Sequence, residues 1–253
     1  NYSKNYIEIQ VFGNKTIFNE LKTKRKNRFN YFKKIIKILI KIQSIKNRQI
    51  YTFKNEKYLI PKYDKKILMN EANMFCDWYV KNNFTKTETK KFSKKFRKII
   101  KKLSNKLMLK ENVFVHRDFH VSNLMIVKKN IGVIDGQDAL IGNRAYDLAS
   151  LIDDVRLKTS KSFKKKIFNF YLKKQKKNNI HKFKNDFEIL SILRNLKIIG
   201  IFTRLAIRDG KKNYLKLIPY SWKLISMRIN ENEAFKDLKN LLNEKFKKKL
   251  NEN

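Results

Sequence analysis

At 253 residues, 42% of them hydrophobic, the chain can bury one large core or two small ones and is too apolar for a disordered tail. Its formal net charge of +39 comes from 61 Lys and Arg against 22 Asp and Glu, but the lysines run along the whole chain instead of forming one basic tail or helix. Spread this way, the excess reads as a solvated, compositionally biased surface; only loose, salt-sensitive RNA binding is expected, with no specific nucleic-acid partner.

In chain order, Tyr6 to Phe12 alternate and reach Gly13-Asn14, which predicts a strand ending in a turn. Thr16 to Lys22 suit a short helix. Phe29, Phe32, Ile35, Ile36, Leu39 and Ile42 recur at helical spacing with lysines opposite, an amphipathic helix. A polar connection follows, with Pro61 near its end. Helices are predicted over Ile67 to Val80 and Thr87 to Leu107, with Phe75, Trp78 and Trp222 assigned to the core. Val113 to Val115 is a short β-prone run. Leu124 to Val127 and Ile131 to Ile134 predict a hairpin. Helices are expected again near 146–156, 160–177, 183–208, 213–229 and 232–249, with a break at Asp209-Gly210.

Cys76 is the lone cysteine, so no intrachain disulfide forms; a reducing, cytoplasmic setting fits. The apolar stretch Ile35 to Ile42 is cut by Lys37 and Lys41 and falls far short of the roughly 20 residues of a membrane span. No membrane partner is expected.

Chemistry is concentrated in residues 114–156. His116 and His120 fall here with Asp118, Asp135, Asp138, Asp147, Asp153 and Asp154, beside three of the six glycines. Asn123 follows Asp118 by five positions, and the hairpin then leads to Asp135. A carboxylate, a carboxamide and a second carboxylate on loops flanking a hairpin suit phosphoryl transfer. The first can take the proton of an attacking hydroxyl, and the other two can hold Mg²⁺ against nucleotide phosphates. Turn capping is the competing account of these three, and their order and flanking strands favour the functional one. A metal-hydrolase cluster built on His116, Asp118 and His120 is disfavoured, because His181 is the sole remaining histidine.

His116-Arg117-Asp118 with Asn123 matches the H-x-D-x-x-x-x-N catalytic loop of kinase-like proteins. With Phe119-His120, with 134–139 (IDGQDA), Gly142 and 146–151 (YDLASL), and with Arg194 to Gly210 and Tyr214 to Trp222, the chain resembles the aminoglycoside phosphotransferase/choline kinase family. It is most similar to the bacterial branch of N-acetylmuramate/N-acetylglucosamine anomeric kinases.

The resemblance implies an α+β, protein-kinase-like fold. Residues 15–253 would be the mainly helical C-terminal lobe with a small catalytic hairpin. Residues 1–14 would be a hinge-strand remnant of a truncated N-terminal β-lobe. The chain opens on Asn1, and no Gly-rich phosphate loop is matched, so a fragment is expected. The resemblance also assigns roles. Asp118 would be the catalytic base; Asn123 and Asp135 would bind Mg²⁺; Gln10, Val11 and Phe12 would lie near the adenine of ATP. His116 and Asp147 would support the catalytic loop, and His120, Asp154 and Arg204 are candidate substrate contacts. Gly136 stands where the family commonly has an aromatic, which would loosen the metal-binding loop. For Asp153 and Asp154 a helix-surface pair is the simpler account, and for Arg194, Arg204 and Arg208 a charged outer face is as good as contact with an acidic sugar. The implied activity is ATP- and Mg²⁺-dependent phosphorylation of a hydroxyl on a small molecule, an amino sugar first. A non-catalytic kinase-like binding protein is the alternative. Oligomeric state is not legible.

Overall fold

The computed structural model describes residues 10–52, 54–110, 112–128, 130–175 and 179–251. In chain order the elements are α1 (Ile17–Thr23), α2 (Arg28–Gln43), β1 (Gln49–Tyr51), β2 (Lys57–Leu59), α3 (Lys65–Met74), α4 (Lys81–Asn83) and α5 (Lys86–Asn105). Then come β3 (Asn112–Val115), β4 (Leu124–Val127), β5 (Asn130–Val133), β6 (Leu140–Asn143), α6 (Ala145–Ile152), α7 (Lys161–Lys174), α8 (Ile180–Ile207), α9 (Ile218–Ile229) and α10 (Lys236–Asn251). They fall into two compact units, one of residues 1–62, 111–152 and 159–176, the other of 63–110, 153–158 and 177–253.

The first unit holds all the strands. Thr16 caps α1 through a hydrogen bond from the Asn19 amide, and the next residues, Ile17 and Leu21, are buried. The apolar face of α2, with Phe32, Ile35, Ile36 and Leu39, lies against α7 and β3. Three two-stranded antiparallel sheets pair β1 with β2, β3 with β6 and β4 with β5. Single bridges add Thr16 to Met125 and Lys62 to Ile141 at sheet edges.

The second unit is helical. Asp64 caps α3, and a Thr85–Glu88 capping box starts α5. Between them Phe75–Val80 form a π-helical turn. Gly200 of α8 explains how that turn packs: a Cβ there would collide with the Met74 carbonyl and stand 2.7 Å from the Phe75 amide. Phe75, Tyr79, Phe92, Phe96, Trp222 and Phe246 form one aromatic cluster with centroids 5.2–6.2 Å apart. Cys76 is buried in the turn, and burial pushes its thiol up to about 12.

Several sequence expectations are corrected. The connection after α2 is an ordered hairpin, β1–β2. The β-prone run at 113–115 pairs with β6, which alternation did not reveal. The helix expected over 67–80 gives way to the π turn at Phe75, and the one expected over 146–156 stops at Ile152. The last two predicted helices begin as 3-10 turns, and Phe246 interrupts α10 with a non-helical φ of −129°. Trp78 is only half-buried. Residues 6–9 of the predicted first strand lie outside the described residues, and Gln10 to Phe12 are not in a strand.

Candidate active site

The topology brings the chemistry-bearing residues of the first unit together. β3 delivers the chain to His116, and the loop continues through Asp118 to a 3-10 turn, Val121–Asn123, which opens directly into β4. Because β4 and β5 are antiparallel with Leu124 opposite Val133, the start of one strand and the end of the other share an edge. Asn123 and Asp135 therefore meet there, and the Ile134 amide donates to the Asn123 carbonyl at 3.1 Å.

Asn123 links the Asp118 backbone to the Asp135 side chain. Its Nδ2 donates to the Asp118 carbonyl at 3.1 Å and stands 3.4 Å from Asp135 Oδ2. Gln137 Nε2 reaches Asp135 Oδ1 at 3.2 Å. Asp118 is half-buried and Asp135 exposed, so both acids can meet ligands from solvent.

Asp147, in the first turn of α6, is fully buried. Its Oδ2 accepts from the His116 amide at 2.8 Å and its Oδ1 from the Arg117 amide at 3.0 Å. These charge-assisted bonds hold Arg117 at φ 72°, with its guanidinium donating to the Asp138 carbonyl at 3.0 Å. Asp135 also sits at positive φ, 68°. Two non-glycine residues in this costly region, both on the loops around Asn123, mark a backbone held in place by its surroundings. The signal for Arg117 was absent from the sequence, since Arg has no preference for left-handed backbone.

His116 is buried, and its Nε2 lies 3.0 Å from the Ile134 carbonyl, which assigns the proton to Nε2. Burial holds its pKa below the ordinary histidine value, against the opposing pull of the Ile134 carbonyl, Asp118 and Asp135. His116 thus ties the loop that carries Asp118 to the end of β5. Gly136 beside it is open: a Cβ would meet only the His116 ring, at 3.7 Å. His120 is buried in the same loop.

α6 is clamped by buried polar side chains. Gln43 Nε2 donates to the Arg144 carbonyl just before the helix at 2.9 Å, and Gln43 Oε1 accepts from the Tyr171 hydroxyl at 2.6 Å. At the other end, Lys164 Nζ donates to the Ile152 carbonyl at 2.6 Å. Sequence reading missed all three.

Val11 is 81% exposed and Gln10 is exposed, while Phe12 is half-buried with its ring over Gly132 of β5, where a Cβ would fall 2.6 Å from the ring. Asp154 and Arg204 belong to the second unit. Asp154 is buried and accepts from the Arg156 amide and guanidinium at 3.0 and 3.3 Å; Arg204 is half-buried. The Asp153–Asp154 surface pair is therefore corrected. Asp153 is wholly buried, gripped by Arg228 at 3.0 and 3.2 Å and by the Ser191 hydroxyl at 2.6 Å. Arg194 is buried too and is not part of an outer face, whereas Arg208 is exposed.

Among the described residues no three His, Cys, Asp or Glu converge on a metal position. A pair of oxygen donors is nevertheless a donor set for Mg²⁺, which keeps waters and takes substrate phosphates as its other ligands. Asn123 and Asp135 fit: the carboxamide uses its nitrogen toward the Asp118 backbone carbonyl and the Asp135 carboxylate, and both Asp135 oxygens make only long amide contacts.

A kinase-like fold is what this combination of helices, small sheets and loop-borne acids defines, and solved structures share it. A choline/ethanolamine kinase family protein from Mesorhizobium loti superposes with a TM-score of 0.59 at 9% identity, covering 93% of this chain and 71% of its own. Plasmodium vivax ethanolamine kinase gives 0.56 at 15% identity, covering 90% and 69%. Residues 27–182 match the phosphotransferase enzyme family, APH, and the chain belongs to that family. By sequence it is 34% identical over 167 residues to N-acetylmuramate/N-acetylglucosamine kinase of Neisseria meningitidis, covering 64% of this chain and 50% of that protein. It is 30% identical over 190 residues to the kinase of the same name from Pseudomonas aeruginosa, covering 73% and 56%. The chain thus spans about half the length of the curated relatives it matches.

Proposed function

We propose that this chain is the catalytic-loop-bearing part of a phosphotransferase that moves the γ-phosphoryl group of ATP to a hydroxyl of a small molecule, with an amino sugar of the N-acetylmuramate or N-acetylglucosamine type as acceptor. The observation that carries the reading is the Asn123 side chain reaching both the Asp118 carbonyl and the Asp135 carboxylate, on loops whose backbone is held at positive φ. The acceptor class rests on the two named sugar kinases above.

In this reading Asp118 orients the acceptor hydroxyl and takes its proton as the oxygen attacks phosphorus. Asn123 and Asp135 would hold Mg²⁺, which would supply positive charge against the charge that develops as the phosphoryl group is transferred and ADP leaves. Asp147 fixes the backbone that aims Asp118, so little rearrangement is needed at reaction. His116, neutral because of its burial, couples the two loops without adding a charge next to the acids. Phe12 lies against the hairpin, as a residue bordering an adenine site would.

The test is ATP consumption by the full-length gene product with Mg²⁺, against N-acetylated sugars, aminoglycosides and choline. Turnover with an N-acetylated sugar is expected, and Asp118→Ala should lower it roughly a hundred- to ten-thousand-fold. A folded, nucleotide-binding protein that turns over none of these acceptors would sink the reading.

A further inference from the structure

The β1–β2 hairpin takes no part in the site above, yet it is a built element. Its turn is closed by the Thr52 amide on the Glu56 carbonyl and the Asn55 amide on the Thr52 carbonyl, both at 2.9 Å. The Thr52 hydroxyl accepts from the Lys54 and Glu56 amides at 3.3 and 3.2 Å. Its base is tied down as well. The Ile60 amide donates to the Arg48 carbonyl at 2.9 Å, and the Arg48 guanidinium donates to the Asn112 carbonyl at the foot of β3 at 3.1 Å.

Among its described residues this hairpin leaves its apolar side chains largely exposed. Ile50 is 54% exposed, Tyr51 63%, Tyr58 47% and Leu59 61%, with Ile45 at 45% just before it. The register pairs Ile50 with Tyr58 on one face, and Gln49 with Leu59 and Tyr51 with Lys57 on the other. Apolar groups therefore stand out on both faces. Lys46, Arg48, Lys54, Lys57 and Lys62 are exposed around them, against Glu56 as the acid of the segment. Scattered exposed hydrophobics need no explanation; several of them on one hydrogen-bonded hairpin among exposed basic residues do.

We propose that the β1–β2 hairpin docks the protein on an anionic bilayer surface, with Ile50, Tyr51, Tyr58 and Leu59 entering the headgroup boundary and the surrounding lysines and Arg48 pairing with lipid phosphates. A flat protein partner would cover one face of a hairpin, whereas a bilayer interface surrounds it and suits apolar groups on both. Tyrosine, apolar in its ring and polar at its tip, is at home at that depth. Apolar insertion and basic attraction together make the two signals that stable peripheral attachment needs. The sequence led to the expectation of no membrane partner, because it offers no spanning segment; among the described residues no helix is long and apolar enough to cross a membrane, and surface docking requires none.

The experiment is co-sedimentation of the protein with phosphatidylcholine vesicles, alone or with roughly one-third phosphatidylglycerol. Binding is expected only with the anionic lipid. The double variant Ile50→Ser, Leu59→Ser should bind about tenfold more weakly with an unchanged Tm, since both side chains are already exposed. A dye on Tyr58→Cys should shift to the blue on those vesicles, and one on Lys239→Cys, on exposed α10 surface, should not. Equal binding by wild type and the double variant would reduce the effect to overall charge and overturn the proposal. So would failure of the wild type to bind, or a lipid-free dimer that the double variant abolishes, which would make a second copy the occupant.

Discussion

Asp147 and Asp135 are both aspartates of the same site, and burial gives them different parts to play. Asp147 is sealed off and satisfies the backbone amides of His116 and Arg117; Asp135 is exposed and makes only long amide contacts. In Asp147→Asn the charge goes, and the new amide nitrogen must face one of the two N–H donors. The expected cost is about 1.5–3 kcal/mol, read as a lower denaturant midpoint, together with loss of turnover. Asp135→Asn should leave the midpoint unchanged and abolish turnover. An Asp147→Asn midpoint equal to wild type would contradict the bracing role. The meeting of Asp118, Asn123 and Asp135 could be read from the sequence because its spacing is set by one loop and one hairpin, both local. Asp153 and Asp154 could not: their neighbours in sequence look like a helix surface, and the Arg228 that makes burial of Asp153 tolerable lies 75 residues away.

At the scale of elements, long amphipathic helices were legible and short strands were not. The periodicity of α2 and α5 is carried by many residues, while β1 and β2 hold three each and β6 reads LIGN, too short for alternation to register. The π turn was hidden because nothing local demands it; it exists where α3 meets α8 across Gly200. That contact makes a prediction opposite to propensity. Gly→Ala inside an exposed helix stabilises by roughly 0.5–1 kcal/mol. At Gly200 the added methyl would strike the Met74 carbonyl and the Phe75 amide, backbone atoms that cannot rotate away. Overpacking of this kind costs about 1–3 kcal/mol, so Gly200→Ala should lower Tm in calorimetry. A raised Tm would show that α8 and the π turn have slack between them.

Among the described residues of the molecule the acids are drawn inward and the bases left outside. Glu71, Asp147, Asp153, Asp154, Asp186 and Glu188 are buried, against Lys164 and Arg194 among the bases. These buried carboxylates do structural work: Asp186, for one, accepts from the Met108 and Leu109 amides at 2.7 and 2.9 Å. The exposed residues are consequently more cationic in balance than the formal +39 implies, and the lysines run along the whole chain instead of forming one basic segment. Such a surface binds polyanions by releasing counterions, without reading bases. Affinity for single-stranded RNA should therefore be indifferent to sequence and fall steeply with salt, with a slope of about 0.7 per phosphate neutralised on a log–log plot. Asp118→Ala should bind RNA as the wild type does, because no base or phosphate needs that carboxylate. The Ile50→Ser, Leu59→Ser variant should also keep its RNA affinity while losing vesicles, because RNA draws on the charge and the bilayer draws on the exposed side chains of the hairpin. Filter binding across a salt series checks all three, and a sequence preference or salt-resistant binding would mean that the basic surface contains a dedicated groove after all.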